Sequence, residues 1–400
     1  MENLLNTKDF KGVRNIILSL GPACNMQCKH CHQTPDKELM TVVTKEPSEE
    51  VLQLIDNYIQ YSQQEEFIKQ AESKKVLFTL QFYGGEPLLY WPVIQKIVER
   101  FMAKYDLLSN TSFRFSIVSN GLCLSQAIVD FVNKYDMLFA LSYDAPHPFA
   151  VRGFISNEIC ALANKIKRLK IICSGCAYNC DPMLARQCLM VKFPEAKHVI
   201  RTEVLRTFPE MDKGIDTYDL DVLRTSVKKI FIAAKMGDDF AFEYAYKLLY
   251  PMFHPEKIHF RVTEGIGSCV SGFREMTVTL DGKIPFCYNS FHLLGSLTED
   301  TLDSVLEKGS AIWKEAYDPE CKECEGRDLC YWGCMLALRD DKKHMYACEG
   351  YRKPFFRIIK EEMVRLTTPL TEEEKNWYKE QERIMDAQVT AFLRESSGVK

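Results

Sequence analysis

The chain has 400 residues, 46% of them hydrophobic and 12% aromatic, enough for a large core in two or three domains of ordinary size. Its 51 Lys and Arg stand against 55 Asp and Glu, a formal net charge of −4, so no basic excess marks nucleic acid or an anionic membrane as a partner. No apolar run reaches the ~18 residues of a spanning helix. The opening MENLLNTKDFKG lacks the charged-then-apolar pattern of a signal peptide, so the expectation is a soluble, cytoplasmic, globular protein. Against that background stand 16 cysteines. In a reducing compartment such a number points to metal binding or catalysis rather than structural disulfides.

In chain order, residues 15–20 (NIILSL) predict a short apolar strand, followed by a cysteine-rich loop. Pro47, Glu49 and Glu50 open a helix, since proline suits a first turn and carboxylates suit the positive dipole end. Val51, Leu54, Ile55, Tyr58 and Ile59 then recur at helical spacing. Residues 76–82 (VLFTLQF) are nearly continuously apolar up to Gly84 and Gly85, as in a strand buried on both faces. A helix follows with Trp91, Ile94, Val98, Phe101 and Met102 on one side. The cycle repeats with strand 113–118, helix 125–135, strand 137–142, a helix near 157–169, and strands near 170–178 and 197–205 with a helix between. Such alternation predicts an α/β fold with a parallel sheet and right-handed crossovers: a partial (βα)6 TIM-like barrel, with an open doubly wound sheet as the alternative.

Residues 220–250 read as helical. Beyond Phe260, glycine and cysteine become frequent and strands short (276–280, then an Asp281-Gly282 turn), and seven of the 16 cysteines fall between Cys269 and Cys348. Short elements of this kind bury little apolar surface alone, which predicts a second, small, metal-stapled domain. The expected division is a barrel over 1–220, a helical linker over 221–268, a cysteine-rich domain over 269–350, and a charged C-terminal helical extension over 351–400.

The first strand leads into GPACNMQCKHCHQ, with Cys24, Cys28 and Cys31 spaced C-x3-C-x2-C. Three thiolates on one tight loop suit a cubane iron–sulfur cluster, which usually takes four cysteines. No fourth lies nearby in sequence, so one iron is left free for another ligand, as catalytic zinc sites keep an open position. A zinc site completed by His30 or His32 is the competing reading.

This loop, after the first strand of a βα barrel, resembles that of the radical S-adenosylmethionine (radical SAM) superfamily; His30 stands where the family usually has an aromatic residue. The resemblance implies that the open iron chelates the amine and carboxylate of SAM. It also implies that an electron from the [4Fe–4S] cluster cleaves the sulfonium to a 5′-deoxyadenosyl radical. Functional groups of βα barrels gather at the C-terminal strand ends, and three further segments there match family elements. Gly84-Gly85-Glu86-Pro87 resembles the GGEP motif, implying close backbone approach to the ligand at the glycines and a Glu86 that pairs with the SAM amine or positions its neighbours. Ser119-Asn120-Gly121 resembles the SNG/TNG element, and Ser142 with Asp144 the ribose-contacting S-x-D segment. Arg152 faces the SAM carboxylate by analogy with a family arginine, or is a solvated surface residue.

The later cysteines are spaced Cys269-x12-Gly282-x4-Cys287, then Cys321-x2-Cys324-x5-Cys330-x3-Cys334-x13-Cys348. This pattern resembles the seven-cysteine SPASM domain, which holds two auxiliary [4Fe–4S] clusters; a zinc ribbon takes four ligands in two pairs. The family pattern implies Cys321, Cys324, Cys330 and Cys348 on one cluster. Cys269, Cys287 and Cys334 then hold the other, with an open iron for want of an eighth cysteine. Cys123, Cys160, Cys173, Cys176, Cys180 and Cys188 read as small core or loop residues, since free cysteine is commonly buried.

The resemblance implies an enzyme with three [4Fe–4S] clusters and SAM that oxidatively modifies a peptide or protein side chain, fed by a low-potential flavodoxin- or ferredoxin-like electron donor. Radical chemistry on a small molecule is one alternative. Formylglycine formation of the anaerobic sulfatase-maturating type is another, but there the second SPASM cysteine is followed by an aspartate base, whereas here Cys287 is followed by Tyr288. A tyrosine is mostly protonated at neutral pH and a poor base. Asp281 reads as the turn partner of Gly282. Only 14 residues precede the first strand, so the expectation is either leader recognition by a separate leader-binding protein, the barrel loops or the C-terminal helices, or a substrate with no leader.

Overall fold

The structure is a computed structural model and describes residues 4–10, 12–29, 31, 46–72, 78–109, 112–147, 152–153, 155–175, 180–196, 198–203, 219–254, 275–287, 292–315, 323–326, 328–329 and 353–396. Six strands, β1 (Asn15–Ser19), β2 (Phe78–Tyr83), β3 (Phe113–Ser119), β4 (Leu138–Ser142), β5 (Leu169–Gly175) and β6 (His198–Glu203), alternate with helices. These are α1 (Glu49–Ser62), α2 (Glu65–Glu72), α3 (Trp91–Lys104), α4 (Gln126–Lys134), α5 (Asn157–Ala163) and α6 (Pro182–Lys192). The strands pair in parallel in the order β6-β5-β4-β3-β2-β1. An order that never reverses has no switch point, so right-handed crossovers put every helix on the same side. That is the partial barrel; the doubly wound alternative is excluded. The helix starts are local: Ser48, Ser125, Ser156 and Asp181 accept hydrogen bonds from amides at the first turns of α1, α4, α5 and α6.

β2 departs from the expectation of burial on both faces. Phe78, Leu80 and Phe82 are buried, while Thr79, Gln81 and Tyr83 are half-buried. The buried row meets the helices: Tyr58 of α1 stands edge-on to Phe78 and Phe113, with ring centroids 5.7 and 6.2 Å apart. The other row is polar because it faces away from the helices. There Thr79 Oγ1 donates to Asn15 Oδ1 at 2.6 Å, and Asn15 Nδ2 to Glu275 Oε2 at 2.9 Å.

Glu275 opens β7 (Glu275–Thr279), which runs parallel to β1 on the side away from β2. The strand expected in the cysteine-rich domain therefore extends the barrel sheet. Its alternation suits that place, since Met276 and Val278 are buried apolar residues and Asn15 pairs in register with Glu275. The Asp281-Gly282 turn forms as expected, with Gly282 at φ +80° and Thr279 Oγ1 donating to Asp281 Oδ1 at 2.5 Å. It leads into the antiparallel pair β8 (Lys283–Pro285) and β9 (Leu293–Ser296).

The helical stretch after the barrel is two helices, α7 (Leu220–Met236) and α8 (Asp239–Phe253), broken where Gly237 takes the left-handed conformation at φ +96°. α9 (Leu302–Glu315) follows β9. α10 (Lys353–Thr367) lies along α7, and α11 (Glu372–Ser396) packs on α6 and α7. Lys229 of α7 is buried and paired with Asp181, whose other oxygen caps α6. No helix among the described residues is long and apolar enough to cross a membrane.

Candidate functional site

The cysteine loop is clamped by the end of β2. Leu20 N donates to Tyr83 O at 2.9 Å, Gly85 N to Gly21 O at 2.9 Å, and Glu86 N to Ala23 O at 2.8 Å. From the other side Ala23 N donates to the Tyr90 hydroxyl at 3.3 Å. The fit leaves no room for side chains. A Cβ on Gly85 would lie 2.2 Å from Pro22 O and 2.4 Å from Ala23 O, and one on Gly84 2.5 Å from Gly21 O. These glycines thus permit close approach to the backbone of the cysteine loop. Gly21 itself sits at φ +147°, with the Tyr90 hydroxyl 2.3 Å from where its Cβ would be.

Cys24, Cys28 and Cys31 are half-buried thiols outside any disulfide. Cys31 N donates to Cys28 O at 3.0 Å, so the last two share a turn, and Met26 N points at Cys24 Sγ at 3.4 Å. Burial pushes the Cys24 thiol up, and pushes the Cys28 thiol up against the pull of the Arg152 guanidinium. Among the described residues no three His, Cys, Asp or Glu side chains converge on a single ion, as a mononuclear zinc site requires. Three separate thiols on one loop fit a cubane, which takes each on a different iron. His30 and His32 lie outside the described residues.

Glu86 is 1% exposed. One carboxylate oxygen accepts from Ser119 Oγ at 2.7 Å and Leu88 N at 2.9 Å, the other from Asn120 N at 2.7 Å. Burial pushes its pKa up, and those three donors oppose the rise. Glu86 therefore ties the end of β2 to the end of β3, as in the reading that has it position its neighbours. Asn120 carries the connection to the loop. Its Oδ1 accepts from Leu122 N at 2.9 Å, while its Nδ2 donates to Asn25 Oδ1 at 2.7 Å and lies 3.8 Å from Cys24 Sγ. Asn25 in turn donates to Cys123 Sγ at 3.2 Å.

Asp144, past the end of β4, is fully buried, and Arg152 is 12% exposed at its side chain, which excludes the solvated alternative. Arg152 Nε lies 2.6 Å from Asp144 Oδ2. Arg152 Nη2 donates to Ser174 Oγ at 3.2 Å, Ser174 N donates to Asp144 Oδ1 at 2.7 Å, and Arg152 Nη1 lies 4.0 Å from Cys28 Sγ. Burial pushes the Asp144 carboxyl up, and the neighbouring guanidinium opposes it. Ser142 is buried at the end of β4. The sequence reading missed Asn25, whose signal was a polar residue between two cluster cysteines, and Ser174, a polar residue two positions after Ile172 on an apolar strand.

Of the seven later cysteines, Cys287 is buried just after β8 and Cys324 is half-buried. Cys269, Cys321, Cys330, Cys334 and Cys348 lie outside the described residues, as do Tyr288 and Cys176. Cys160, Cys173, Cys180 and Cys188 are buried in the core, outside any disulfide, as expected.

Strand order, cysteine loop and the segments at the strand ends together are similar to those of radical SAM proteins. A family model described as a 4Fe-4S single cluster domain matches residues 10–147. The radical SAM cyclopropyl synthase TigE of Paramaledivibacter caminithermalis is 26% identical over 167 residues, which are 40% of this chain and 33% of that protein. An uncharacterised protein of Methanocaldococcus jannaschii is 25% identical over 134 residues, 33% of this chain and 39% of that one. The matches thus span between a third and two fifths of the length of these curated relatives. Among solved structures, anSMEcpe with bound AdoMet superposes on 89% of this chain and 100% of its own, with TM-score 0.59 and 18% identity. Streptococcus suis SuiB bound to its precursor peptide SuiA superposes on 82% of this chain and 74% of its own, with TM-score 0.52 and 14% identity. The likeness to both is one of fold.

Proposed function

We propose that this chain is a radical SAM enzyme with auxiliary clusters that oxidatively modifies a side chain of a peptide or protein. The observation that carries the reading is a C-x3-C-x2-C loop whose three thiols are in no disulfide, clamped between strand ends of a sequential parallel sheet. Support for a peptide substrate comes from two proteins of the same fold, SuiB with its precursor peptide and anSMEcpe with the Cp18Cys peptide. Cys24, Cys28 and Cys31 would hold a [4Fe–4S] cluster, which together with bound SAM would supply radical hydrogen abstraction from an unactivated carbon. The chain's own part is to hold and orient. Gly84 and Gly85 fix the loop, and Ser142 and Asn120 stand at the strand ends where SAM would lie. Thr79, Gln81 and Tyr83 give β2 a polar row away from the helices. The seven later cysteines would hold two further clusters that return the substrate electron to an acceptor, and a low-potential donor would reduce the first.

The test is anaerobic purification followed by iron and sulfide analysis, then incubation with SAM and dithionite. About twelve irons are expected, three four-iron clusters, with 5′-deoxyadenosine formed and a mass change in a co-expressed substrate peptide. Zinc without acid-labile sulfide in reconstituted protein would overturn the reading.

A further inference from the structure

Two fully buried carboxylates flank the cysteine loop, and each holds a nitrogen donor against a different cluster thiol. On one side Glu86 accepts from Asn120 N, and Asn120 Nδ2 lies 3.8 Å from Cys24 Sγ. On the other, Asp144 pairs with Arg152, and Arg152 Nη1 lies 4.0 Å from Cys28 Sγ. We propose that Asn120 and Arg152 are positioning residues that set the reduction potential of the barrel cluster through its thiolates, with Glu86 and Asp144 aiming them. The proposal rests on Cys24, Cys28 and Cys31 being cluster ligands.

Both donors are committed within the protein. The Asn120 amide has its oxygen on Leu122 N and its nitrogen on Asn25 Oδ1 at 2.7 Å, which leaves the second N–H for Cys24. The Arg152 guanidinium is pinned at Nε by Asp144 and at Nη2 by Ser174, which leaves Nη1 for Cys28. A buried carboxylate without a partner is costly, so Asp144 at zero exposure fixes where the guanidinium must stay. Reduction adds one negative charge, spread over the cluster and its thiolates. Hydrogen bonds to the sulfurs and a nearby cation stabilise that charge and raise the potential, and half-burial strengthens both effects by lowering the local dielectric. Outer groups of this kind orient ligands and tune the metal.

The experiment is a redox titration of SAM-free holoenzyme, followed by the electron paramagnetic resonance signal of the reduced barrel cluster. The spectrum of a Cys24/Cys28/Cys31→Ala variant is subtracted to remove the C-terminal clusters. Asn120→Ala and Arg152→Gln should each shift the midpoint to lower potential, with the shifts adding in the double variant because they act on different thiolates. Arg152→Lys, which keeps the charge, should fall less than Arg152→Gln. If Asn120→Ala loses its cluster, Asn120→Asp keeps the volume, replaces the donor by an acceptor and should fall further. Full iron content with unchanged midpoints in the Asn120 and Arg152 variants would overturn the inference. Equal iron in wild type and the triple cysteine variant would overturn the cluster assignment, and the inference with it.

Discussion

Arg152 Nε and Asp144 Oδ2 meet at 2.6 Å, the carboxylate fully buried and the guanidinium nearly so. The pair joins the segment after β4 to Ser174 of β5, since Arg152 Nη2 donates to Ser174 Oγ and Ser174 N donates to Asp144 Oδ1. A buried pair of this kind adds little net stability, but removing one partner leaves the other charge uncompensated.

Asp144→Ala should therefore destabilise the chain by about 3–5 kcal/mol. Asp144→Asn should cost less, because its amide oxygen still accepts from Ser174 N. The measurement is urea unfolding of iron-free protein under reducing conditions, read as a lower midpoint at unchanged slope. An unchanged midpoint in Asp144→Ala would refute the burial argument.

Gly85→Ala places a methyl 2.2 Å from Pro22 O and 2.4 Å from Ala23 O. Both are backbone atoms of the cysteine loop, so the loop must move. The expected result is loss of the barrel cluster, a fall from about twelve irons to about eight, with no SAM cleavage and an unchanged circular dichroism spectrum. Retention of all the iron would show that the loop yields without losing its cysteines.

Lys229→Met removes the cation from the Asp181 carboxylate at the start of α6. Asp181 keeps its capping bonds to Met183 N and Leu184 N, so the cost should sit near the lower end for a broken buried pair, about 3 kcal/mol. Asp181→Asn keeps the cap and loses the charge. A double-mutant cycle over the two substitutions isolates the pair, and a coupling of zero would count against it.

Substrate choice is tested by a sulfatase-motif peptide incubated anaerobically with enzyme, SAM and a low-potential reductant. Tyr288 stands where sulfatase-maturating enzymes carry an aspartate base, and Asp281 is committed to its turn through Thr279. SAM should be cleaved to 5′-deoxyadenosine while the peptide mass stays unchanged. Formylglycine at many turnovers would reverse this conclusion.

What the sequence determined by itself is local along the chain. The C-x3-C-x2-C loop, the Gly-Gly-Glu-Pro turn and the capping serines are each written within a few consecutive residues, and apolar periodicity marked β1 to β6 and the helices between them except α2. Tertiary structure decided whatever depends on register between distant segments. β7 joins β1 across 260 residues, pairing Asn15 with Glu275, because an unpaired sheet edge accepts whichever strand presents apolar residues to the helices and polar ones to the other side. For the same reason Gly85 faces Pro22 and Ala23, and Arg152 faces Asp144 and Ser174. Strand pairing and the desolvation of a buried carboxylate made those choices, and neither leaves a mark on residue spacing.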